Sequence, residues 1–204
     1  MFKDREDGGL KLANLVKSQG LSVDVVLAVP QGGLPVGRAV ANALGVELNV
    51  IVARRISAPG NPDLALGAVT DDGTAWLNRS LIKVLGIDDE YVEKERESQA
   101  TKAREELKEY DTGELDPDGK DVMIVDDGIA TGTTISACIE RARREKAETV
   151  IVGVPVVSAS VVEQLRAQAD EVLGVETPPH FESISEFYES FNQVSKKEAS
   201  KYLR

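Results

Sequence analysis

Short apolar runs alternate along the chain with longer segments in which apolar residues recur at helical spacing. The predicted strands cover residues 25–29, 46–53, 123–126, 150–156 and 172–175. The predicted helices cover residues 33–44, 135–146 and 160–168. Because several of the strand runs are apolar at every position, we expect a parallel sheet that helices flank. The pattern therefore predicts an α/β protein.

Two segments interrupt this alternation. Residues 56–85 contain proline, glycine and Asp-Asp-Gly turn signals around short β-like runs, which predicts a projecting hairpin or mobile flap. Residues 88–110 form a highly charged helical stretch, and residues 111–121 are predicted to be the loop that returns to the sheet. At 204 residues, the chain most simply forms one domain that carries the flap as an insertion.

The composition narrows the classes of function. The formal net charge is -11, so general binding to nucleic acid is not expected. No run approaches the ~18 apolar residues of a membrane helix, and the charged N-terminus lacks the apolar stretch of a signal peptide. Cys138 is the single cysteine, and we interpret it as a packed core residue. The expectation is a cytoplasmic protein without a membrane partner.

The segment 122–134 carries the main chemical signal. An apolar strand ends at Asp126 and Asp127, which places both acids where open α/β sheets bind ligands. Gly128 and Gly132 permit a sharp turn, and the amides that open the next helix favour an anion. This combination suits a ligand with a phosphate and neighbouring hydroxyl groups, although a strand-turn-helix corner with exposed acids would have the same pattern. The P-loop lysine and the dinucleotide glycine pattern are both absent.

Two further elements are candidate anion contacts. Residues 29–33, Val-Pro-Gln-Gly-Gly, also join an apolar strand to a helix, and their glycines permit amides to face an anion or simply form a tight turn. Arg54 and Arg55 follow the predicted strand 46–53. Neighbouring strand residues face opposite sides, so at most one arginine is expected to reach the site directly. A phosphate clamp and ordinary surface ion pairs are both compatible with this pair.

Residues 123–134 resemble the 5-phosphoribosyl 1-pyrophosphate (PRPP) binding motif of the type I phosphoribosyltransferases. The sequence segments 2–5, 28–36 and 58–62, together with the aromatic residues near the C-terminus, resemble those of one poorly characterised branch of that family. The resemblance covers nearly all 204 residues. It implies a parallel sheet flanked by helices, with the projecting flap and a small C-terminal hood at about 176–204.

The resemblance also implies roles for individual residues. The catalytic pair that binds the ribose hydroxyls would be Asp126 and Asp127, which would hold Mg²⁺ only indirectly, through those hydroxyls or water. The residues implied for the 5-phosphate are Ala130, Thr131, Gly132, Thr133 and Thr134. The residues implied for pyrophosphate are Gln31, Gly32, Gly33, Arg54 and Arg55.

The implied reaction moves the 5-phosphoribosyl group of PRPP to a nitrogen acceptor, which we expect to be a nucleobase, and releases pyrophosphate. Mg²⁺ and a homodimer are implied on the same basis. Two departures support the alternative of a PRPP- or nucleotide-sensing regulator: Gln31 stands where a basic residue is common, and Ala130 stands where 6-oxopurine enzymes carry an acid. A phosphatase would need a nucleophile or metal set that the sequence does not show.

The acceptor is left open by the sequence. Phe181, Phe187 and Tyr188 either stack on a base or anchor the terminal segment to the core. His180 is the only histidine, and we interpret it as a loop residue because it follows two prolines and no metal-binding pattern surrounds it.

Overall fold

The computed structural model describes residues 1–110, 112–113 and 115–203. Its central sheet has five parallel strands in the order β2-β1-β6-β7-β8. These strands are β1 (Val25–Ala28), β2 (Glu47–Val50), β6 (Asp121–Val125), β7 (Thr149–Val156) and β8 (Glu171–Glu176). The expected α/β class with a parallel sheet is confirmed.

Helices cover both faces of this sheet. One face packs against α1 (Arg5–Ser18) and α2 (Gly33–Leu44), and the other packs against α5 (Thr133–Arg144) and α6 (Ala159–Arg166). Within β6, Met123 belongs to the first core and Ile124 to the second. Both are fully buried, which explains why this strand is apolar at consecutive positions.

A second sheet is built from the segment predicted as a flap. It contains β3 (Ala53–Ala58), β4 (Asn61–Thr70) and β5 (Ala75–Leu77), all antiparallel, and is followed by α3 (Arg79–Val84) and α4 (Asp89–Leu107). It has a small apolar core of its own. The buried members of that core are Ile56, Ala58, Leu66, Val69, Ile82, Val92 and Ala100.

The predicted strand at 46–53 is wrong in its second half. The first sheet ends this strand at Val50, and Ala53 already begins β3 in the second sheet. Ile51 and Val52 are buried in the two opposite cores, so the apolar run continues across the junction without a polar signal. Arg54 and Arg55 therefore belong to the flap sheet rather than to the end of a central strand.

Helix α1 was not among the predicted elements. Asp4 caps it, because its side chain accepts a hydrogen bond from the Asp7 amide, but Gly8 and Gly9 weaken the helical pattern. A Cβ on Gly9 would lie 2.6 Å from the Val36 carbonyl oxygen. The glycine that obscures the helix in the sequence thus permits the close approach of α1 to α2.

The two ends of the chain pack on one another. The Phe2 amide donates to the Phe187 carbonyl at 2.7 Å, and the Glu189 amide donates back to the Phe2 carbonyl at 2.8 Å. A 3-10 helix, Ile184–Phe187, precedes this contact, and α7 (Lys196–Ala199) and the 3-10 helix Ser200–Leu203 follow it. Among the described residues, none of the helices combines the length and the apolar character that a membrane crossing requires. Two positions of the predicted loop at 111–121, Asp111 and Glu114, lie outside the described residues.

Candidate active site

The loops that follow β1 and β6 leave the sheet side by side. These strands are neighbours, and their register pairs Ala28 with Val125 at the end of each. The loop after β1 leads into α2 at Gly33, and the loop after β6 leads into α5 at Thr133. Two helix N-termini therefore face one edge of the sheet, where their amides and dipoles favour an anion.

The two loops are in close contact. A Cβ on Gly32 would lie 2.1 Å from Asp127 Oδ2, and a Cβ on Gly33 would lie 2.8 Å from the Val125 carbonyl oxygen. Neither position has room for a side chain, so both glycines are required by the approach of the acids. The peptide bond between Pro30 and Gln31 is cis.

An open cleft of about 430 Å³ lies between this edge and the flap sheet. Asp126 and Thr134 line it from the central domain, Pro30 lines it from the loop after β1, and Arg54 and Arg55 line it from β3. Its volume is within the usual range for a small-molecule site, roughly 300–1,000 Å³. The structure thus brings together members of all three predicted groups, whose positions span more than half of the sequence.

Of the two predicted catalytic acids, Asp126 is the one that lines the cleft. It is half-buried by surface area, yet protein surrounds it densely. Burial and the neighbouring Asp127 carboxylate raise the pKa of Asp126 well above the ordinary value for an aspartate. Its Oδ1 accepts a hydrogen bond from the Asp127 amide at 2.8 Å. The group can therefore carry a proton and donate a hydrogen bond as well as accept one.

Asp127 is held by the two ends of the chain. Its Oδ2 accepts a hydrogen bond from Arg5 Nε at 2.8 Å, and its backbone carbonyl accepts one from the Tyr188 hydroxyl at 2.6 Å. Burial and the Asp127 charge raise the pKa of Tyr188, which keeps its hydroxyl as a donor. Sequence reasoning did not find Arg5 as a site residue, because 122 positions separate it from Asp127 and no local pattern connects them.

The predicted phosphate loop forms the start of α5. Gly132 has φ of 74° and caps the helix without a side chain, so no cap side chain competes for the first amides. Ala130 and Thr131 are exposed, Thr133 is buried and Thr134 is half-buried. A Cβ on Gly132 would also lie 2.7 Å from Val161 Cγ1, so both conformation and space favour glycine there.

The two arginines differ in their surroundings. Arg54 Nη1 lies 2.7 Å from Glu106 Oε2, and its Nε donates to Gln99 Oε1 at 3.1 Å. Arg55 is exposed, and its side chain makes no hydrogen bond or ion pair with any residue that the structure describes. Both arginines line the cleft, although the sequence predicts that at most one would reach the site directly, and they differ instead in burial. Arg55 is thus the cation that is more available to a ligand in the cleft.

No group of three or more histidine, cysteine, aspartate or glutamate side chains within residues 1–110, 112–113 and 115–203 could hold a metal ion by itself. Asp126 supplies one carboxyl group to the cleft, and Glu106 is already paired with Arg54. This donor set fits a hydrated cation that is held mainly by a bound ligand, as is common for Mg²⁺.

The chain matches known proteins over nearly its whole length. The model of the Phosphoribosyl transferase domain family matches residues 9–191, and the chain belongs to this family. It is 33% identical over 205 aligned residues to the "Putative phosphoribosyl transferase" of Mycobacterium tuberculosis H37Rv, covering 100% of this chain. The chain spans 46% of the length of that protein.

Two solved structures are similar to this chain. TT1426 from Thermus thermophilus is 36% identical, with a TM-score of 0.85 over 99% of this chain and 97% of that chain. An adenine phosphoribosyltransferase from Thermoanaerobacter pseudethanolicus has a TM-score of 0.50 at 14% identity over 86% of this chain and 83% of that chain. The second similarity shows a shared fold alone. The resemblance noted in the sequence is confirmed at the level of family and fold.

Proposed function

We propose that this chain is a phosphoribosyltransferase that moves the 5-phosphoribosyl group of PRPP to a nitrogen acceptor and releases pyrophosphate. The observation that carries the proposal is the convergence of the N-termini of α2 and α5 on one sheet edge, with Asp126 and Asp127 between them. Two anion sites with acids between them suit a substrate that has a phosphate at each end of a sugar.

We assign each part of PRPP to one group of these residues. The 5-phosphate would bind the amides and hydroxyls of residues 130–134, as predicted from the sequence. Pyrophosphate would bind the amides of residues 31–33, with Arg55 as the more available of the two cleft arginines. The ribose hydroxyls would meet the two acids, Asp126 as a group able to hold a proton and Asp127 as the partner of Arg5.

The reaction would proceed by displacement at C1 of the ribose. The C1–O bond breaks and its electron pair leaves with pyrophosphate, while the lone pair of the acceptor nitrogen forms the new C1–N bond. The acceptor nitrogen then loses its proton to a base or to water. Positive charge develops on the sugar, and the nearby carboxylates stabilise it electrostatically while the two helix N-termini hold the anionic ends in place.

Mg²⁺ fits the site as part of the substrate complex. Asp126 and Asp127 would hold it indirectly, through the ribose hydroxyls and water, and it would neutralise charge on the leaving pyrophosphate. We place the acceptor among the nucleobases because a ring nitrogen is a suitable nucleophile. The homodimer and the cytoplasmic location remain predictions, and the first of these is measured directly by light scattering.

A sensor of PRPP or nucleotides is the second candidate. Gln31 offers no charge to pyrophosphate, Arg54 is already paired with Glu106, and Asp127 is already paired with Arg5. The uncharged Gln31 and the two ion pairs reduce the charge available for catalysis, but they leave the helix N-termini able to bind phosphate groups.

The distinguishing experiment measures pyrophosphate release from PRPP and Mg²⁺ against a panel of free nucleobases, together with PRPP binding by calorimetry. Asp127→Asn is the control. Base-dependent release that the variant loses would support the transferase and name the acceptor. Magnesium-dependent PRPP binding without pyrophosphate release in the presence of any base would favour the sensor. Absence of both PRPP binding and pyrophosphate release would contradict each proposal.

A further inference from the structure

The side chain of Arg5 connects the chain ends to the candidate sugar site. Its Nε lies 2.8 Å from Asp127 Oδ2, its Nη1 donates to the Asn192 carbonyl at 2.7 Å, and its guanidinium carbon lies 3.8 Å from the centre of the Phe191 ring. The Arg5 and Asp127 side chains are only 11% and 13% exposed. The ion pair is therefore largely shielded from solvent, where it is stronger than a surface pair.

The attachment of the chain ends does not depend on this arginine alone. Backbone hydrogen bonds already join Phe2 to residues 187 and 189, and the Phe2 and Tyr188 rings pack with their centres 5.3 Å apart. Tyr188 also stacks near Phe191, with ring centres 5.0 Å apart. What Arg5 adds to these contacts is a charged bond to an acid of the site.

The Asp127 carboxylate is confined from two sides. Oδ2 faces Arg5, and the same oxygen would be 2.1 Å from any Cβ placed on Gly32. The Tyr188 hydroxyl holds the backbone of the same residue. The orientation of the carboxylate is thus set by the N-terminal segment, the C-terminal segment and the loop after β1 together.

From these contacts we infer that Arg5 is a positioning residue, which holds the Asp127 carboxylate by Oδ2 so that Oδ1 is presented to a sugar hydroxyl. This inference rests on the proposed function, since it assumes that Asp127 binds the ribose of PRPP. It adds that the two chain ends belong to the substrate-binding unit. A purely structural role for Arg5 predicts no dependence of PRPP binding on its charge beyond any effect on folding.

The test is calorimetric binding of PRPP with Mg²⁺ to four proteins: wild type, Arg5→Gln, Arg5→Lys and Arg38→Gln. Arg38 is the matched control, because it also donates to a backbone carbonyl of the C-terminal segment, that of Tyr202, whereas the ion pair of Asp127 is made by Arg5. We expect Arg5→Gln to weaken binding at least tenfold, equal to about 1.4 kcal/mol. Arg5→Lys should recover most of this loss, and Arg38→Gln should bind within about threefold of wild type.

A double-mutant cycle with Asp127→Asn separates positioning from folding. Arg5→Gln should cost much less affinity in the Asp127→Asn background, because the carboxylate that it positions is already gone. Equal losses in both backgrounds, or an Arg5→Gln variant that binds like wild type, would overturn the inference and leave the proposed function standing. A wild-type protein that does not bind PRPP would instead remove the proposed function and this inference with it.

Discussion

Arg141 Nη1 lies 2.9 Å from Asp72 Oδ1, although Arg141 belongs to α5 and Asp72 to the turn between β4 and β5. The same guanidinium meets Asp71 Oδ1 at 3.3 Å and Glu145 Oε1 at 2.5 Å. Its side chain is only 10% exposed. Since α5 begins at the candidate phosphate loop, this cluster attaches the flap sheet to the helix that would bind the 5-phosphate.

Replacement of Arg141 by methionine should destabilise the protein by about 3 kcal/mol. The change keeps much of the side-chain length but leaves three acids without their shared cation, and loss of one partner from a buried ion pair is costly. Urea unfolding measures the effect. Arg166→Met is the control, because its pair with Glu163 is 59% and 80% exposed, and a change below about 0.5 kcal/mol is expected there. Equal effects would show that Arg141 contributes no more than a surface ion pair.

Asp72 should make stability depend on acid pH. Burial opposes its charge, but hydrogen bonds from Thr70 and Thr74 and the Arg141 charge outweigh burial and lower the pKa of Asp72 to about 2. A lowered folded pKa stabilises the protein above the unfolded value of about 4, and this contribution is lost as pH falls towards 2.

The expected contribution of the ionised Asp72 is roughly 2 kcal/mol at neutral pH. It is measured as the difference in unfolding free energy between wild type and Asp72→Asn from pH 6 downwards. The difference should shrink below about pH 4. A difference that stays constant between pH 6 and pH 3 would show that the charge of Asp72 is not responsible.

The central strand and its loop are the parts that the sequence predicts best. The apolar run before Asp126 indicates burial on both faces, and α5 begins at Thr133, two residues before the predicted start at residue 135. Hydrophobic periodicity carries this information because the pattern that predicts a strand or a helix depends only on residues that are close in the sequence.

Contacts between distant segments are not encoded in such patterns. Arg5 and Asp127 each look like ordinary charged residues until the fold brings them together. The change of sheet after Val50 is hidden for a similar reason, because Ile51 and Val52 satisfy two different cores. Sequence patterns therefore fail mainly at positions where tertiary packing, rather than local conformational preference, selects the residue.

Gly32→Ala tests whether the loop after β1 must lie against the acids. Gly32 has φ of -65° and ψ of -31°, which alanine adopts without strain, so only the new Cβ matters. That Cβ would lie 2.1 Å from Asp127 Oδ2 and must displace the carboxylate. We expect PRPP binding or turnover to fall roughly a hundredfold, as for an ångström-scale misplacement.

The control for this change is Gly113→Ala, since a Cβ there meets nothing within 4 Å and should leave binding unchanged. Binding assays and thermal unfolding of both variants give the comparison. A Gly32→Ala protein that folds and binds PRPP like wild type would mean that the carboxylate need not occupy its observed position.

Replacement of Asp126 by asparagine and replacement of Asp127 by asparagine should change the stability of the protein in opposite directions. Burial and the Asp127 charge raise the pKa of Asp126, so its carboxyl group keeps its proton to a higher pH in the folded protein than in the unfolded chain. The stability that the protonated Asp126 contributes is present below the ordinary aspartate pKa, and it is lost as pH rises through the raised pKa of the folded protein. Asp126→Asn, which cannot ionise, should therefore unfold at a higher temperature than wild type at pH 8, with a smaller difference at pH 5.

Asp127→Asn should instead unfold at a lower temperature at both pH values, because it leaves Arg5 largely buried without its anion, at a cost of about 1–3 kcal/mol. Both variants should lose PRPP affinity, so the opposite stability effects cannot be explained by a common folding defect. Thermal unfolding at the two pH values and calorimetry on the same samples make the measurement. Destabilisation of both variants to the same degree would show that Asp126 carries its charge without cost, and that its proton has no part in the stability of the site.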